Sequence, residues 1–392
     1  MMVIINGRVI GPRGILERHC VLIDGHRIKE VAPTEQILWS DDTQVIDAAG
    51  DFVAPGLVDM HVHGGLGRDT MEGSVEALAQ IAKFHATGGT TTLTPTLMSD
   101  SPEKIRAVLA VVGEAMGHDF GGAQIAGAHI EGPYISPAKC GAQSAQHLRP
   151  PDPAEYQTWW AGDGVVTQVT LAPELPGALA LIDDLLAQEI LPSGGHTSAN
   201  GDQIRAALDH GLCHATHLFN AMSTAAKSGP YRIPGALETF LADDRVMVEL
   251  IADGHHVHPT LMKLAVHAKG VDRICLITDA TAGAGLPDGS EYHVGATRAV
   301  VRDGVGMMPD GSVLAGSVST MITMVRNMVE QVGVSLPEAV RMASLNPARA
   351  IGISGHKGSL EPRQDADIVI FSPAFTVKKL MVGGQIEYEA AG

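Results

Sequence analysis

Eight short apolar runs recur between residues 56 and 283, and stretches of helical periodicity separate several of them. The runs are GLVDMHVHGG, TTTLTPT, QIAGAHIEG, VVTQVTLAPE, EILPSGGH, GLCHATHLFNA, VMVELIADGHHV and ICLITDATAG. The helical stretches include SVEALAQIAKFHATG, SPEKIRAVLAVVGEAM, ALALIDDLLAQ, NGDQIRAALDHG and HPTLMKLAVHAKG. Ser101-Pro102-Glu103 and Asn200-Gly201-Asp202 have the residue types of helix starts. This rhythm predicts the α/β class, with strands and helices alternating around one parallel sheet. No GxGxxG follows an early strand, and polar residues gather at the C-terminal ends of many runs. Both features favour a (β/α)8 TIM-like barrel over an open doubly wound sheet.

The two ends of the chain read differently. VLIDGHRIKEV near the start is two apolar runs split by Asp24-Gly25, a hairpin signal, and the first strand is expected to enter a turn at Asn6-Gly7. The last stretch, DADIVIFSPAFTVKKLMVGGQIEYEA, is also strand-like and turns at Gly383-Gly384. The expected division is a small β domain from residues 1–54 and 357–392 around a catalytic barrel of residues 55–356. At 392 residues the chain exceeds the size at which one core stops growing.

The formal net charge of −17 argues against nucleic acid or an anionic membrane as partner, since both require a basic face. A small anionic ligand needs only a local cationic pocket. No apolar run reaches membrane-spanning length, and the N-terminus lacks a basic leader. Cys20, Cys140, Cys213 and Cys275 are far apart, with no CxxC pair. A reducing, cytoplasmic setting is expected.

His61 and His63 close the first barrel run. Residues i and i+2 of a strand point to one side, so the pair can aim two nitrogens at one point in the barrel mouth. Later runs end with His129 and Glu131, with His196, with His214 and His217, with Asp253, His255, His256 and His258, and with Asp279. Histidines and carboxylates at successive strand tips suit a borderline divalent metal and metal-dependent hydrolysis. His129 lies deeper than Glu131 and reads as packed. His214, three residues before His217, is expected on the opposite side of an extended strand.

At these residues the sequence resembles the amidohydrolase superfamily, and within it the N-acetylglucosamine-6-phosphate deacetylases. The matching segments are PGLVDMHVHGG, GAHIEGPYISPAKCGAQ, GGHTSA, ATHLFNAMS, ELIADGHHVHP, LITDATAGAG, VLAGSVSTM and RMASLNPARAIG, in order across residues 54–352. The resemblance implies a barrel joined to a small β-sandwich built from both termini. It implies Glu131, His196 and His217 as ligands of a principal divalent metal, most simply zinc, with iron as the alternative. His61 and His63 match the pair that holds a second ion in two-metal relatives, with Glu131 as the bridge. Asp279 matches the catalytic aspartate that takes a proton from the attacking water and later delivers it to the leaving amine.

The same resemblance implies substrate contacts. Asn220, Ala221 and His256 would meet the sugar phosphate, and Leu314, Ala315 and Gly316 would line the sugar pocket. Arg232 would reach a neighbouring subunit's phosphate in a homodimer, with Lys227 as the alternative cation. Ala142 and Gln143 belong to a lid segment, KCGAQ, in which relatives carry a histidine where this chain has Gln143. Glutamine can donate to a developing oxyanion but cannot carry positive charge. The implied activity is removal of acetate from N-acetyl-D-glucosamine 6-phosphate. The alternatives are the galactosamine epimer, an unphosphorylated N-acetyl sugar or another N-acyl compound.

Overall fold

The computed structural model describes residues 1–160, 164–295 and 297–391. Eight parallel strands form the central sheet: β1 Leu57–Val62, β2 Thr90–Leu97, β3 in two pieces Gln124–Ile125 and Ala128–Glu131, β4 Val166–Leu171, β5 Leu191–Gly194, β6 His214–Ala215, β7 Met247–Ile251 and β8 Ile274–Ile277. Neighbours pair in that order. The ring is nearly closed by a bridge from Val62 to Ala280. At that seam the Asp279 N–H donates to the His61 carbonyl (2.9 Å), and the His63 N–H to the Ala280 carbonyl (2.8 Å).

Helices α1 Val75–Thr87, α2 Pro102–Ala115, α3 Ala178–Ala187, α4 Gly201–Asp209 and α5 Pro259–Lys269 fill the expected helical stretches. Ser101 caps α2 through its hydroxyl, and Asn200 and Gln203 form a capping box on α4. Between β6 and β7 lies a further short helix, Ala236–Ala242. Among the described residues the β3–β4 connection contains one α-helical turn, Pro153–Tyr156, and its Gly141, Ala142 and Gln143 line the barrel mouth.

Strand alternation sorts the side chains. Val58, Met60 and Val62 join the large apolar core shared with the helices. The interior set is polar: Asp59, Thr96, His129, Gln168, His214 and Glu249 are all buried. Barrels of this kind usually fill their interior with branched apolar residues. Here buried polar groups, several of them hydrogen-bonded to one another, form the floor beneath the mouth.

The termini come together as expected in one eight-stranded sheet, with Met2–Gly11, Gly14–Asp24, Arg27–Pro33, Gln44–Asp47 and Phe52–Pro55 joined to Ile368–Phe371, Val377–Val382 and Gln385–Glu389. It is continuous and folds back on itself: Arg27 bridges Asp365, and one apolar cluster draws on Ile4, Val21, Ile28, Val53, Ile368 and Met381. Asn6-Gly7 is a correction. The first strand runs through it as a bulge, with Asn6 at φ 56° and register shifts on both sides of Gly7. A Cβ on Gly7 would collide with Val53, so the glycine permits close packing rather than a reversal. A three-stranded sheet, Glu291–Val294, Thr297–Arg302 and Val305–Met307, follows β8; Asp303-Gly304, a hairpin signal absent from the expectations above, turns between its last two strands. Among the described residues, no helix is long and apolar enough to cross a membrane.

Candidate metal centre and substrate cavity

Two groups of ligand-type side chains meet at the C-terminal mouth of the barrel. Glu131, His196 and His217 form one, and His61, His63 and Asp279 the other. Within the first, Glu131 Oε1 lies 3.1 Å from His196 Nε2 and 2.9 Å from His217 Nε2, with 3.0 Å between the two nitrogens. In the second, Nε2 of His61 and of His63 are 3.3 Å apart, and Asp279 Oδ1 is 3.4 and 3.2 Å from them. Glu131 joins the groups, because its Oε2 is 3.3 Å from His63 Nε2 and its Oε1 is 3.5 Å from His61 Nε2.

This donor set fits divalent cations. At zinc–nitrogen distances of about 2.0–2.1 Å, two ligands of a tetrahedral ion sit roughly 3.3 Å apart, close to the spacings found. All four imidazoles present Nε2 to the centre. Three have an acceptor on Nδ1: Glu249 Oε2 for His61 (2.9 Å), the Thr96 carbonyl for His63 (3.2 Å) and the Lys139 carbonyl for His196 (2.6 Å). An acceptor there holds the proton on Nδ1 and leaves the Nε2 lone pair free for a metal. Without a cation, nitrogen lone pairs this close repel unless protons lie between them.

The electrostatics agree. Burial lowers the His61 affinity for a proton, but Glu131, Asp279 and Glu249 outweigh it and hold His61 well above the usual imidazole range. His63, also buried, is raised to about 9 by Asp279 and Glu131. Burial pushes the Glu131 carboxyl up, yet His196 and His61 pull it well below its ordinary range. The centre therefore attracts positive charge, which metal ions supply by displacing protons. Backbone strain collects here too. His196, His217, Ala221 and Asp279 all have positive φ, at 44°, 29°, 49° and 48°. Non-glycine residues hold that conformation only when the surroundings fix it.

A cavity of about 260 Å³ opens over the centre. Its wall includes Met98, Ala142, Gln143, Asn220, Ala221, His256, Thr281, Val294, Val313, Leu314 and Gly316. Asp253 holds His256 in place: its Oδ2 is 2.7 Å from His256 Nδ1, and its Oδ1 accepts from the His255 and His256 N–H groups. Burial would lower the His256 proton affinity, but Asp253 outweighs it and raises it.

Residues 52–386 match the Amidohydrolase family. The chain belongs to that family. It is 37% identical to the Bacillus subtilis N-acetylglucosamine-6-phosphate deacetylase, over 97% of this chain and 95% of the relative. It is 35% identical to the Escherichia coli O157:H7 N-acetylgalactosamine-6-phosphate deacetylase, over 97% of both. A solved structure of a mutant Mycobacterium smegmatis N-acetyl-D-glucosamine-6-phosphate deacetylase, in complex with N-acetyl-D-glucosamine 6-phosphate, superposes with a TM-score of 0.91 at 33% identity, covering 98% of this chain and 99% of that one.

Within this family fold, one residue expected to line the sugar pocket, Ala315, does not. Ala315 is fully buried, and its carbonyl accepts from Thr281 (3.2 Å) and Tyr292 (3.3 Å), so only Leu314 and Gly316 of that segment face the opening. Arg232 sits on an exposed hairpin, Ala226–Ser228 with Tyr231–Ile233, outside the cavity wall, and Lys227 lies opposite it. His214 faces the interior, 3.4 Å from Glu249, and not the opposite side. Parity failed there because β6 ends at Ala215 and His217 lies beyond it in the left-handed region. Gln143 is buried and pinned: its Oε1 accepts from the Ser99 N–H (2.9 Å) and hydroxyl (2.5 Å), and its Nε2 donates to Glu131 Oε2 (2.9 Å).

Two buried carboxylates beneath the centre lie outside the strand-tip pattern. Glu249 lies on β7 beneath the centre. Asp59, on β1, accepts from the Thr278 hydroxyl (2.5 Å) and N–H (3.2 Å) and so ties β1 to β8 below Asp279. Both are carboxylates inside apolar runs, in VELI and LVDM, and that was the available signal.

Proposed function

We propose that this chain is a metal-dependent deacetylase of N-acetyl hexosamine 6-phosphates. N-acetyl-D-glucosamine 6-phosphate is the favoured substrate and the galactosamine epimer the alternative. The observation that carries the reading is one cavity with two ligand groups and Asp279 at its floor and His256 on its wall. Relatives named for the glucosamine epimer support it, and one named for the galactosamine epimer keeps the alternative open.

Glu131, His196 and His217 would hold the principal ion, and His61, His63 and Asp279 a second; zinc is the first choice and iron the alternative. When bound, such a cation supplies Lewis acidity to the attacking water and the acetyl carbonyl. Asp279 acts on the protons. Burial would raise its carboxyl, but His61 and His63 outweigh it and keep it low. It accepts a proton as water oxygen bonds to the carbonyl carbon. It returns the proton to the amine as the C–N bond breaks, giving acetate and the amino sugar.

Gln143 has one amide hydrogen on Glu131, and the other is available to the substrate carbonyl. Protonated His256 suits a phosphate. Arg232 is assigned to the phosphate of a partner subunit, a role in keeping with its exposed hairpin and the planar fork of its guanidinium. A cytoplasmic setting fits four free cysteines.

The test is acetate release from both epimers, with and without the 6-phosphate. Higher kcat/KM on the phosphorylated sugars is expected. Equal values with and without phosphate would remove the phosphate assignment and favour an unphosphorylated N-acetyl sugar or another N-acyl compound.

A further inference from the structure

Glu249 does not reach the cavity, yet it touches both ligand groups. It is fully buried on β7. Its Oε2 accepts from His61 Nδ1 (2.9 Å) and from the His217 backbone N–H (3.2 Å). Its Oε1 accepts from Gln168 Nε2 (2.6 Å). One carboxylate thus joins β1, β4, β7 and the segment after β6. His61 belongs to the second ligand group, and His217 to the first.

We infer that Glu249 is a positioning residue that couples the two metal positions. It fixes the His61 proton on Nδ1, turns Nε2 toward the second position and increases the basicity of that nitrogen. Through the same oxygen it holds the strained His217 backbone, at φ 29°, in the geometry that brings His217 Nε2 to Glu131. The two groups depend on Glu249 unequally. The first keeps other supports: Lys139 on His196 and Gln143 on Glu131. For His61 Nδ1, Glu249 is the hydrogen-bond partner among the described residues. Loss of Glu249 should therefore empty the second position first. The inference rests on the two-metal form of the proposed function.

Glu249→Leu removes the acceptor, and Glu249→Gln removes only its charge. Among the described residues Gln168 Oε1 has no hydrogen-bond partner, so a flip of the Gln168 amide can accommodate the Glu249→Gln side chain. That variant carries the test if Glu249→Leu does not fold. Metal-depleted protein is titrated with zinc against a chromophoric chelator, and bound zinc is counted by elemental analysis. Wild type should take up two ions. Both variants should keep the tighter ion and bind the weaker one about 10- to 100-fold less tightly. Gln168→Leu, which leaves the His61 and His217 bonds in place, should shift the weaker ion by less than about threefold.

Two ions at wild-type affinity in Glu249→Gln would overturn the inference. So would an equal loss in Gln168→Leu, which would indicate general loosening of the interior. A wild type that binds one ion would overturn it as well. Acetate release, scored separately, would then still support or reject the deacetylase reading.

Discussion

Replacing Asp279 with asparagine separates two roles that the geometry gives one side chain. Its Oδ1 completes the second ligand group, 3.2 Å from His63 Nε2 and 3.4 Å from His61 Nε2, and the same carboxylate is the assigned base. The backbone is held independently. The Asp279 N–H donates to the His61 carbonyl, and its carbonyl accepts from the Ser317 N–H, each at 2.9 Å. Asparagine has nearly the same shape, so the fold and the φ of 48° should survive while charge and basicity are lost. A positioned general base contributes about 10²- to 10⁴-fold. At about 1.4 kcal/mol per tenfold, that is roughly 3–5 kcal/mol of barrier. Asp279→Asn should therefore lower kcat by at least about a hundredfold and leave KM nearly unchanged. Bound metal should fall toward one ion, kept by Glu131, His196 and His217. The assay is acetate release across a series of added zinc concentrations, with bound metal counted at each. If excess zinc brought the variant within tenfold of wild type, Asp279 would be a ligand only, and the base assignment would fail.

Three shorter predictions concern other parts of the molecule. Gln143→Ala strands the buried Ser99 donors and frees Glu131 Oε2, so kcat/KM should drop about 10- to 1,000-fold with metal content retained; unchanged kinetics would dismiss the lid contact. Burial holds the His85 imidazole near 4, below its ordinary 6.5, while its Nε2 donates to the Gly64 carbonyl. The unfolded chain then binds a proton that the folded chain resists, so this contribution is complete above pH 6.5 and lost as pH falls toward 4, about 3 kcal/mol in all. His85→Gln, a non-titrating donor, should flatten that part of the urea-stability profile, and an identical acid slope would count against this account. Lys357 is buried with Nζ 2.5 Å from Asp367, between barrel and terminal sheet; Lys357→Met should cost about 3–5 kcal/mol in denaturant unfolding, and a loss under about 1 kcal/mol would show the pair to be dispensable.

The histidines at the strand tips were legible because side-chain direction in a strand repeats every two residues. His61 with His63 therefore lie on one side from spacing alone. Parity ceased to help where strands were short. β6 has two residues, and His217 lies beyond its end in a left-handed turn, so the orientation of His214 came out reversed. The hairpin signal at Gly383-Gly384 was local and held, whereas Asn6-Gly7 carried the same kind of signal but is a bulge. Long-range pairing distinguishes the two cases: the strand through Asn6-Gly7 keeps one partner on both sides, whereas the strands flanking Gly383-Gly384 pair with each other.

Glu249 and Asp59 show the limit of the linear reading. Each sits in an apolar run as one carboxylate, with no partner nearby in sequence. Their partners lie far along the chain: His61 is 188 residues from Glu249, and Thr278 is 219 from Asp59. By itself the sequence determined the alternation of elements, the location of metal-binding residue types at strand ends and the family, since these depend on local periodicity and ordered motifs. Tertiary structure alone decided which nitrogen of each imidazole faces the centre, that Glu249 reaches both ligand groups and that Ala315 turns inward. Those outcomes depend on distances between groups that become neighbours only when the barrel closes.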